Sequence, residues 1–176
     1  MAAFTTAVFA ADAPAPAPAG STCTLSNVHI CCGSCVNGVN TTLAKVAGVK
    51  GTASQADGTI VLTAADKPTL QKAVDALVAA GFYGTSSDAS IKVVDDTGAK
   101  AGKVQTLDIT GVHLCCAKCV TAVNGILSKV DGVKGNTAAQ KATTFTVTGD
   151  FDAAAVFAAL NKGGLAGKVS TVAATK

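Results

Sequence analysis

The sequence VHICCGSC at residues 28–35 recurs as VHLCCAKC at residues 112–119. The same offset of 84 positions aligns the residues after each copy, so that 15 of the 24 positions from residue 28 to residue 51 are unchanged in the second copy. Six of the seven cysteines lie in the two copies. The chain therefore contains one unit that occurs twice, and its repeated cysteines are the candidate functional residues, because surface thiols add little to a hydrophobic core.

On either side of the first cysteine stretch, the apolar pattern predicts alternating strands and helices. A strand at residues 25–30 precedes the cysteines, and a helix with one apolar face comes after them at 36–46 and ends at Gly48. Strands at 49–54 and 59–63 come next.

The rest of the first unit is a helix and a final strand. Asp66 is predicted to cap the helix, Pro68 fits its first turn, and Gly81 lies just after its end. By composition, residues 91–94 make a better last strand than residues 83–87, which are polar.

The second unit repeats this order. Its predicted elements lie at residues 104–114, 120–130, 133–138, 143–148, 152–160 and 167–172. Strand, helix, strand, strand, helix, strand is the βαββαβ order of a ferredoxin-like sandwich, an α+β fold with two helices on one face of a four-stranded antiparallel sheet. The large side chains expected in the two cores are Phe82, Phe145, Phe151 and Phe157.

The predicted organisation has four segments. They are a signal-peptide remnant and Ala/Pro-rich tether at residues 1–21, a first domain at 22–95, a linker at 96–103 and a second domain at 104–176. Val8-Phe9-Ala10 resembles a signal-peptidase site, so we expect cleavage after Ala10 and export to the periplasm or cell envelope.

Composition excludes several classes of function. All 14 basic residues are Lys and are scattered, which argues against nucleic-acid binding. No run of about 18 apolar residues is available for a membrane span. With two histidines and no carboxylate pair at a recognisable spacing, the sequence does not predict an enzyme.

The Cys-x-x-Cys pairs, Cys32 with Cys35 and Cys116 with Cys119, are predicted between a strand end and the first turn of a helix. Free backbone N–H groups and the helix dipole favour thiolates there. Two close thiolates suit a soft ion of low coordination number, Cu(I) foremost.

Each loop holds further candidate ligands. If Ile30 faces the helices, His29 and Cys31 project together from the open face of the sheet and could complete a Cys₃His site for Zn(II). The alternative is a solvated histidine on an exposed strand. The candidate ligands are Cys31, Cys32, Cys35, Cys115, Cys116 and Cys119, with His29 and His113 as possible additions. Cys23 has no counterpart in the repeat and is predicted to be a small buried hydrophobe.

Residues 28–51, with Cys-x-x-Cys-Val-x-x-Val and Leu-x-x-Val-x-Gly-Val, resemble a heavy-metal-associated domain, and the second copy resembles it equally. The resemblance implies a ferredoxin-like fold and metal held by the paired cysteines. It also implies a metal-transporting ATPase or another metal carrier as partner. The family loop Gly-Met-Thr-Cys-x-x-Cys is replaced by His29-Ile30-Cys31 and His113-Leu114-Cys115, where Ile30 and Leu114 can fill the buried place of the methionine.

The third thiol leaves the metal open among Cu(I), Zn(II), Hg(II) and Cd(II). We expect one soft ion in each domain, about two Cu(I) per chain, passed on or stored by ligand exchange. Two alternatives stay open: a small zinc-stapled interaction module, and a thiol-disulfide redox protein, although the chain has no Trp and no proline between Pro68 and its end.

Overall fold

The computed structural model describes residues 20–170. The predicted export signal, the Ala/Pro-rich tether and the end of the last predicted strand lie outside the described residues.

Each half of the chain folds as strand, helix, strand, strand, helix, strand. The elements of the first half are β1 (Ser21–Ser26), α1 (Gly33–Leu43), β2 (Val49–Ser54), β3 (Thr59–Ala64), α2 (Lys67–Ala79) and β4 (Thr85–Ser86). Those of the second half are β5 (Lys103–Thr110), α3 (Ala117–Leu127), β6 (Val133–Asn136), β7 (Thr144–Asp152), α4 (Ala153–Lys162) and β8 (Lys168–Val169).

The strands form two four-stranded sheets of the same topology. Their orders are β2-β3-β1-β4 and β6-β7-β5-β8, and all pairings are antiparallel. In each half the two helices contact each other and the sheet. The predicted α+β class with two tandem ferredoxin-like units is confirmed.

The cores are aliphatic with a few large rings, as predicted. The four phenylalanines expected as core fillers are all buried: Phe82, Phe145, Phe151 and Phe157. Cys23 is also fully buried, with its Sγ 3.2 Å from the Oγ of Ser86, which agrees with a structural role.

The strand before each cysteine stretch is shorter than predicted. β1 ends at Ser26 because Asn27 takes a positive φ of 59°, and β5 ends at Thr110 before Gly111, whose φ is 82°. His29 therefore lies in a loop, and the prediction that it projects from the open face of the sheet is wrong, although it does lie near Cys31.

The last strand of the first half is also placed differently. β4 is the polar pair Thr85–Ser86, which joins β1 at the sheet edge, whereas residues 91–94 form no strand. Ile91 is buried even so, because it covers the core from a loop. Residues 91–94 thus resembled a strand in composition because Ile91 is a buried apolar residue, although the segment is irregular.

Two helix boundaries test the capping predictions. Asp66 caps α2, and its Oδ1 accepts a hydrogen bond of 2.7 Å from the N–H of Thr69, as predicted. The first helix ends at Leu43, earlier than predicted, and Gly48, with a φ of 80°, instead leads into β2.

The two halves are joined by backbone hydrogen bonds. Phe82 and Leu165 form an isolated antiparallel bridge. On either side of it, the N–H of Tyr83 donates to the O of Gly164 and the N–H of Ala166 donates to the O of Gly81, both at 3.1 Å. The contact is reciprocal, and it brings the cysteine-bearing ends of the two halves together.

This contact is possible because glycines lie at the closest approach. A Cβ added to Gly81 would lie 2.5 Å from the O of Gly111 and 2.6 Å from the N of His113. Gly164 approaches the backbone of Asn27 and His29 equally closely. Both glycines also have positive φ angles, so no other residue fits these positions without strain.

Within residues 20–170, every helix is too short or too polar to cross a membrane.

Candidate metal centre

The cysteine loops begin the first helix of each half. Cys32 and Cys116 are the N-cap residues of α1 and α3, with extended φ angles of −163° and −149°, and neither side chain caps the helix. Cys35 and Cys119 lie in the first turn and are fully buried. Each loop thus presents sulfur atoms at the N-terminus of a helix, beside the backbone N–H groups of its first turn.

Sulfur atoms of the two loops lie in contact with each other. The Sγ of Cys31 is 3.5 Å from those of Cys116 and Cys119, and the Sγ of Cys35 is 3.5 Å from that of Cys115. We call this group the six-thiol cluster; it consists of Cys31, Cys32, Cys35, Cys115, Cys116 and Cys119. The sequence predicts two separate sites, whereas the structure brings all their candidate thiols together.

Within each loop the spacing is the same. The Sγ atoms of Cys31 and Cys35 are 3.6 Å apart, as are those of Cys115 and Cys119. The Cys-x-x-Cys pairs are both separated by 3.8 Å. These are contact distances rather than bonds, and all seven cysteines are free thiols.

The possible ligand sets combine residues of both halves. Within residues 20–170, the groups whose ligand atoms all lie within 4.8 Å of one another are His29/Cys31/Cys119, Cys31/Cys32/Cys116, Cys32/Cys35/Cys115 and Cys115/Cys116/Cys119. Three of these four sets cross from one half to the other. The predicted Cys₃His set within one loop is not among them.

The two N-cap thiols have lowered pKa values. The pKa of Cys32 is lowered to about 6, mainly because the backbone N–H of Cys35 lies beside the Cys32 sulfur and stabilises its thiolate. The N–H of Cys119 lowers the pKa of Cys116 in the same way. With a pKa of about 6, the sulfur of Cys32 is a nucleophilic thiolate near neutral pH, and the pKa of Cys116 is shifted in the same direction.

Three other thiols of the cluster hold their protons more firmly. Burial raises the pKa of Cys31, Cys115 and Cys119, and hydrogen bonds to neighbouring sulfurs raise those of Cys31 and Cys115 further. A bound cation would reverse this preference, because a coordinated thiol is deprotonated.

His29 lies beside the cluster, and His113 is its counterpart in the second half. A ring nitrogen of His29 lies within 4.8 Å of the sulfurs of Cys31 and Cys119, and burial lowers the pKa of both histidines. The Nε2 atoms of both rings are buried without a hydrogen-bond partner. The solvated alternative for these histidines is wrong, and the ring of His29 offers a further ligand or donor beside the thiols.

The ring of His113 packs at the boundary between the halves. Its centroid is 4.6 Å from that of Phe82, and a Cβ added to Gly38 of α1 would lie 3.0 Å from its Cε1. Phe82 and Gly38 were not predictable as site residues from the sequence, because only the contact between the halves gives them that position.

Two glutamines support the loops and were also missed. Gln55 donates to the O of Cys31 at 3.2 Å, and Gln140 donates to the O of Cys115 at 3.4 Å. Their matching positions in the two halves were a usable signal, since each comes after its loop by nearly the same number of residues.

No family model matches the chain, and no curated protein matches it. The solution structure of the N-terminal soluble domains of Bacillus subtilis CopA is 18% identical, covering 88% of this chain and 97% of that chain, with a TM-score of 0.32. The apo form of the HMA domain of the copper chaperone for superoxide dismutase is 23% identical, covering 51% of this chain and 90% of that chain, with a TM-score of 0.36.

The second of these neighbours is a heavy-metal-associated domain, the family that the cysteine stretches resemble. With TM-scores of 0.32 and 0.36, neither likeness carries an argument about this chain. The ferredoxin-like assignment itself rests on the strand order and connections of this chain.

Proposed function

We propose that the chain binds soft metal ions, Cu(I) foremost, through the six-thiol cluster, and that it transfers or sequesters them without acting as an enzyme. The observation that supports this proposal is the convergence of six free thiols at sulfur separations of 3.5–3.9 Å. Thiolates select Cu(I) and other soft ions over hard, oxygen-preferring cations. Hg(II) and Cd(II) fit the same donors.

Metal uptake and release proceed by stepwise ligand exchange. Cys32 and Cys116 are partly exposed at the helix N-termini and are the thiols with lowered pKa, so they meet an incoming ion first. The buried Cys35 and Cys119 then replace the ligands of the donor, and each newly coordinated thiol releases its proton to solvent. Release to a partner reverses these steps.

The partner of such exchange is another thiolate-bearing protein, either a metal-transporting ATPase or a second metal carrier. Delivery and storage use the same ligands and differ in the rate of release. Export to the periplasm or cell envelope belongs to the same proposal, and mass spectrometry of protein from the native host would test cleavage after Ala10. An intact N-terminus in a cytosolic fraction would contradict it.

A zinc-stapled structural site is the second candidate. It is favoured by the position of His29, whose ring nitrogen lies close to two of the sulfurs. In that case Zn(II) would be required for folding, whereas a carrier folds without metal and exchanges Cu(I).

Anaerobic titration of the reduced full chain, with Cu(I) or Zn(II) competing against a chelator of known affinity, tests the function. The Cys32→Ser/Cys116→Ser variant should lose tight Cu(I) binding and stay folded. Cys23→Ser, which alters a thiol outside the cluster, is the matched control and should bind as the parent does. Unfolding on removal of Zn(II), with His29→Ala abolishing tight Zn(II) binding, would contradict the carrier function.

A further inference from the structure

We propose that the two loops form one shared polynuclear Cu(I)–thiolate site, and that this site holds about four Cu(I) ions when filled. The proposal rests on the proposed function and goes beyond it, because it assigns one site to the molecule where the sequence predicts two.

The spacing of the sulfurs suits bridging across the loops. Two thiolates bound to one ion at about 2.3 Å and separated by 110–120° lie roughly 3.8–4.0 Å apart. The sulfurs within a loop, at 3.6 and 3.8 Å, have nearly this separation. The sulfurs of opposite loops, at 3.5–3.9 Å, have it too. By these sulfur–sulfur distances, one ion can be bound by two thiolates of the same loop or by two thiolates of opposite loops equally well.

Charge also favours a shared site. Two separate sites of one Cu(I) and three thiolates would each carry a net charge of −2, and their sulfurs would touch. Like charges at such a distance repel strongly in a partly buried site. If each of the six thiolates instead bridges two ions, the twelve resulting bonds satisfy about four three-coordinate Cu(I) ions. The whole cluster then carries a single net charge of −2.

The surroundings of the sulfurs fit an anionic cluster of Cu(I). Cys35 and Cys119 are fully buried, and a ring nitrogen of His29 lies within 4.8 Å of the sulfurs of Cys31 and Cys119. Apolar burial excludes water, which slows exchange of the bound Cu(I), and the imidazole of His29 adds a neutral polar group against the negative charge. No change in oxidation state is required: copper enters as Cu(I), and the thiol protons leave to the buffer.

A shared site would also link metal binding to the contact between the two halves. Each bridging ion would bond to thiolates of both loops, so filling the site would fasten the two halves together. Release would require the loops to separate, which makes handover slower than from a two-thiolate loop on a single domain.

The test is native mass spectrometry of the reduced full chain during anaerobic titration with Cu(I) as its acetonitrile complex, together with copper X-ray absorption. The expected result is a monomer that passes from the metal-free to the four-copper form with few intermediates. It should show copper–copper scattering and the luminescence of a solvent-shielded Cu(I)–thiolate cluster. Cys23→Ser should behave identically.

Removing one loop should then damage the whole site. In Cys32→Ser/Cys35→Ser we expect the luminescence and the copper–copper scattering to disappear, although the second loop is intact. Two Cu(I) bound independently without copper–copper scattering would overturn the shared site and leave the proposed function standing. A cluster formed only between two chains would also overturn it. Failure to bind Cu(I) tightly would overturn both.

Discussion

The Sγ of Cys31 lies 3.5 Å from the Sγ of Cys116, although the two residues are 85 positions apart in the chain. The proximity results from the Phe82–Leu165 bridge and the glycines beside it, which let the two ferredoxin-like halves meet at their cysteine-bearing ends. The nearest sulfur neighbours of each loop belong to the other loop, so neither loop alone has its full set of sulfur contacts.

Limited oxidation of the metal-free protein should therefore join the halves. Two thiols in contact lose two electrons and two protons to form a disulfide, and cross-loop pairs lie as close as pairs within a loop. Peptide mapping of the monomer should find a disulfide between residues 23–45 and residues 104–129. Exclusive pairing of Cys32 with Cys35 and of Cys116 with Cys119 would contradict the close approach of the loops.

Alkylation of the reduced, metal-free protein should distinguish neighbouring thiols. With its pKa lowered to about 6, Cys32 is a thiolate above that pH, so its reaction with iodoacetamide should rise to a plateau near neutral pH. Cys31 is its control, since burial raises the pKa of that thiol and should keep it slow throughout the neutral range. Equal rates at pH 7, measured by mass spectrometry, would contradict the assigned difference.

Substitution at Gly81 should separate the halves without touching a thiol. Gly81→Ala places a methyl group against the backbone of Gly111 and demands a positive φ from alanine, so we expect destabilisation of more than about 1 kcal/mol in urea unfolding. Gly125→Ala is the matched control, because Gly125 lies in α3 with open space around it.

That control should be neutral or stabilising by up to ~1 kcal/mol, as alanine is the better helix former. Gly81→Ala should also reduce the cross-loop disulfide found after oxidation. Unchanged stability and unchanged disulfide in Gly81→Ala would show that the halves do not meet at this glycine.

The two histidines should titrate below their ordinary pKa. Burial favours the neutral imidazoles, so proton NMR should place both midpoints below 6.5, and single His29→Asn and His113→Asn variants assign them. Because the folded-state pKa is lowered, the associated stability is complete above pH 6.5 and is lost as pH falls through the folded value. The His29→Asn/His113→Asn double variant should therefore lose less stability than the parent as the pH falls. Histidine titration midpoints at or above pH 6.5 would contradict the burial of the two rings.

The fold was predictable because its signals are local. The cap at Asp66, the apolar faces of the helices and the turn between β2 and β3 each involve a few neighbouring residues. The polar edge strand Thr85–Ser86 was missed because two residues pairing at a sheet edge carry no periodicity. The loop position of His29 was missed because it depends on the backbone conformation of Asn27.

The candidate ligands were predictable, but their assembly was not. Repetition identified the six thiols and both histidines as a set. The contact between the halves, however, is made by Phe82, Leu165 and the glycines beside them, none of which carries a metal-binding signature. A pattern that repeats along a chain does not indicate whether its copies face one another.

The reciprocal hydrogen bonds around Phe82 and Leu165 are the arrangement expected between identical subunits of a two-fold dimer. Here both partners belong to one polypeptide, joined by residues 96–102, so each half meets the other at an effective concentration on the order of millimolar. Assembly of the cluster is consequently unimolecular. Dilution that would dissociate a site built between two chains leaves this one intact, whatever the abundance of the protein.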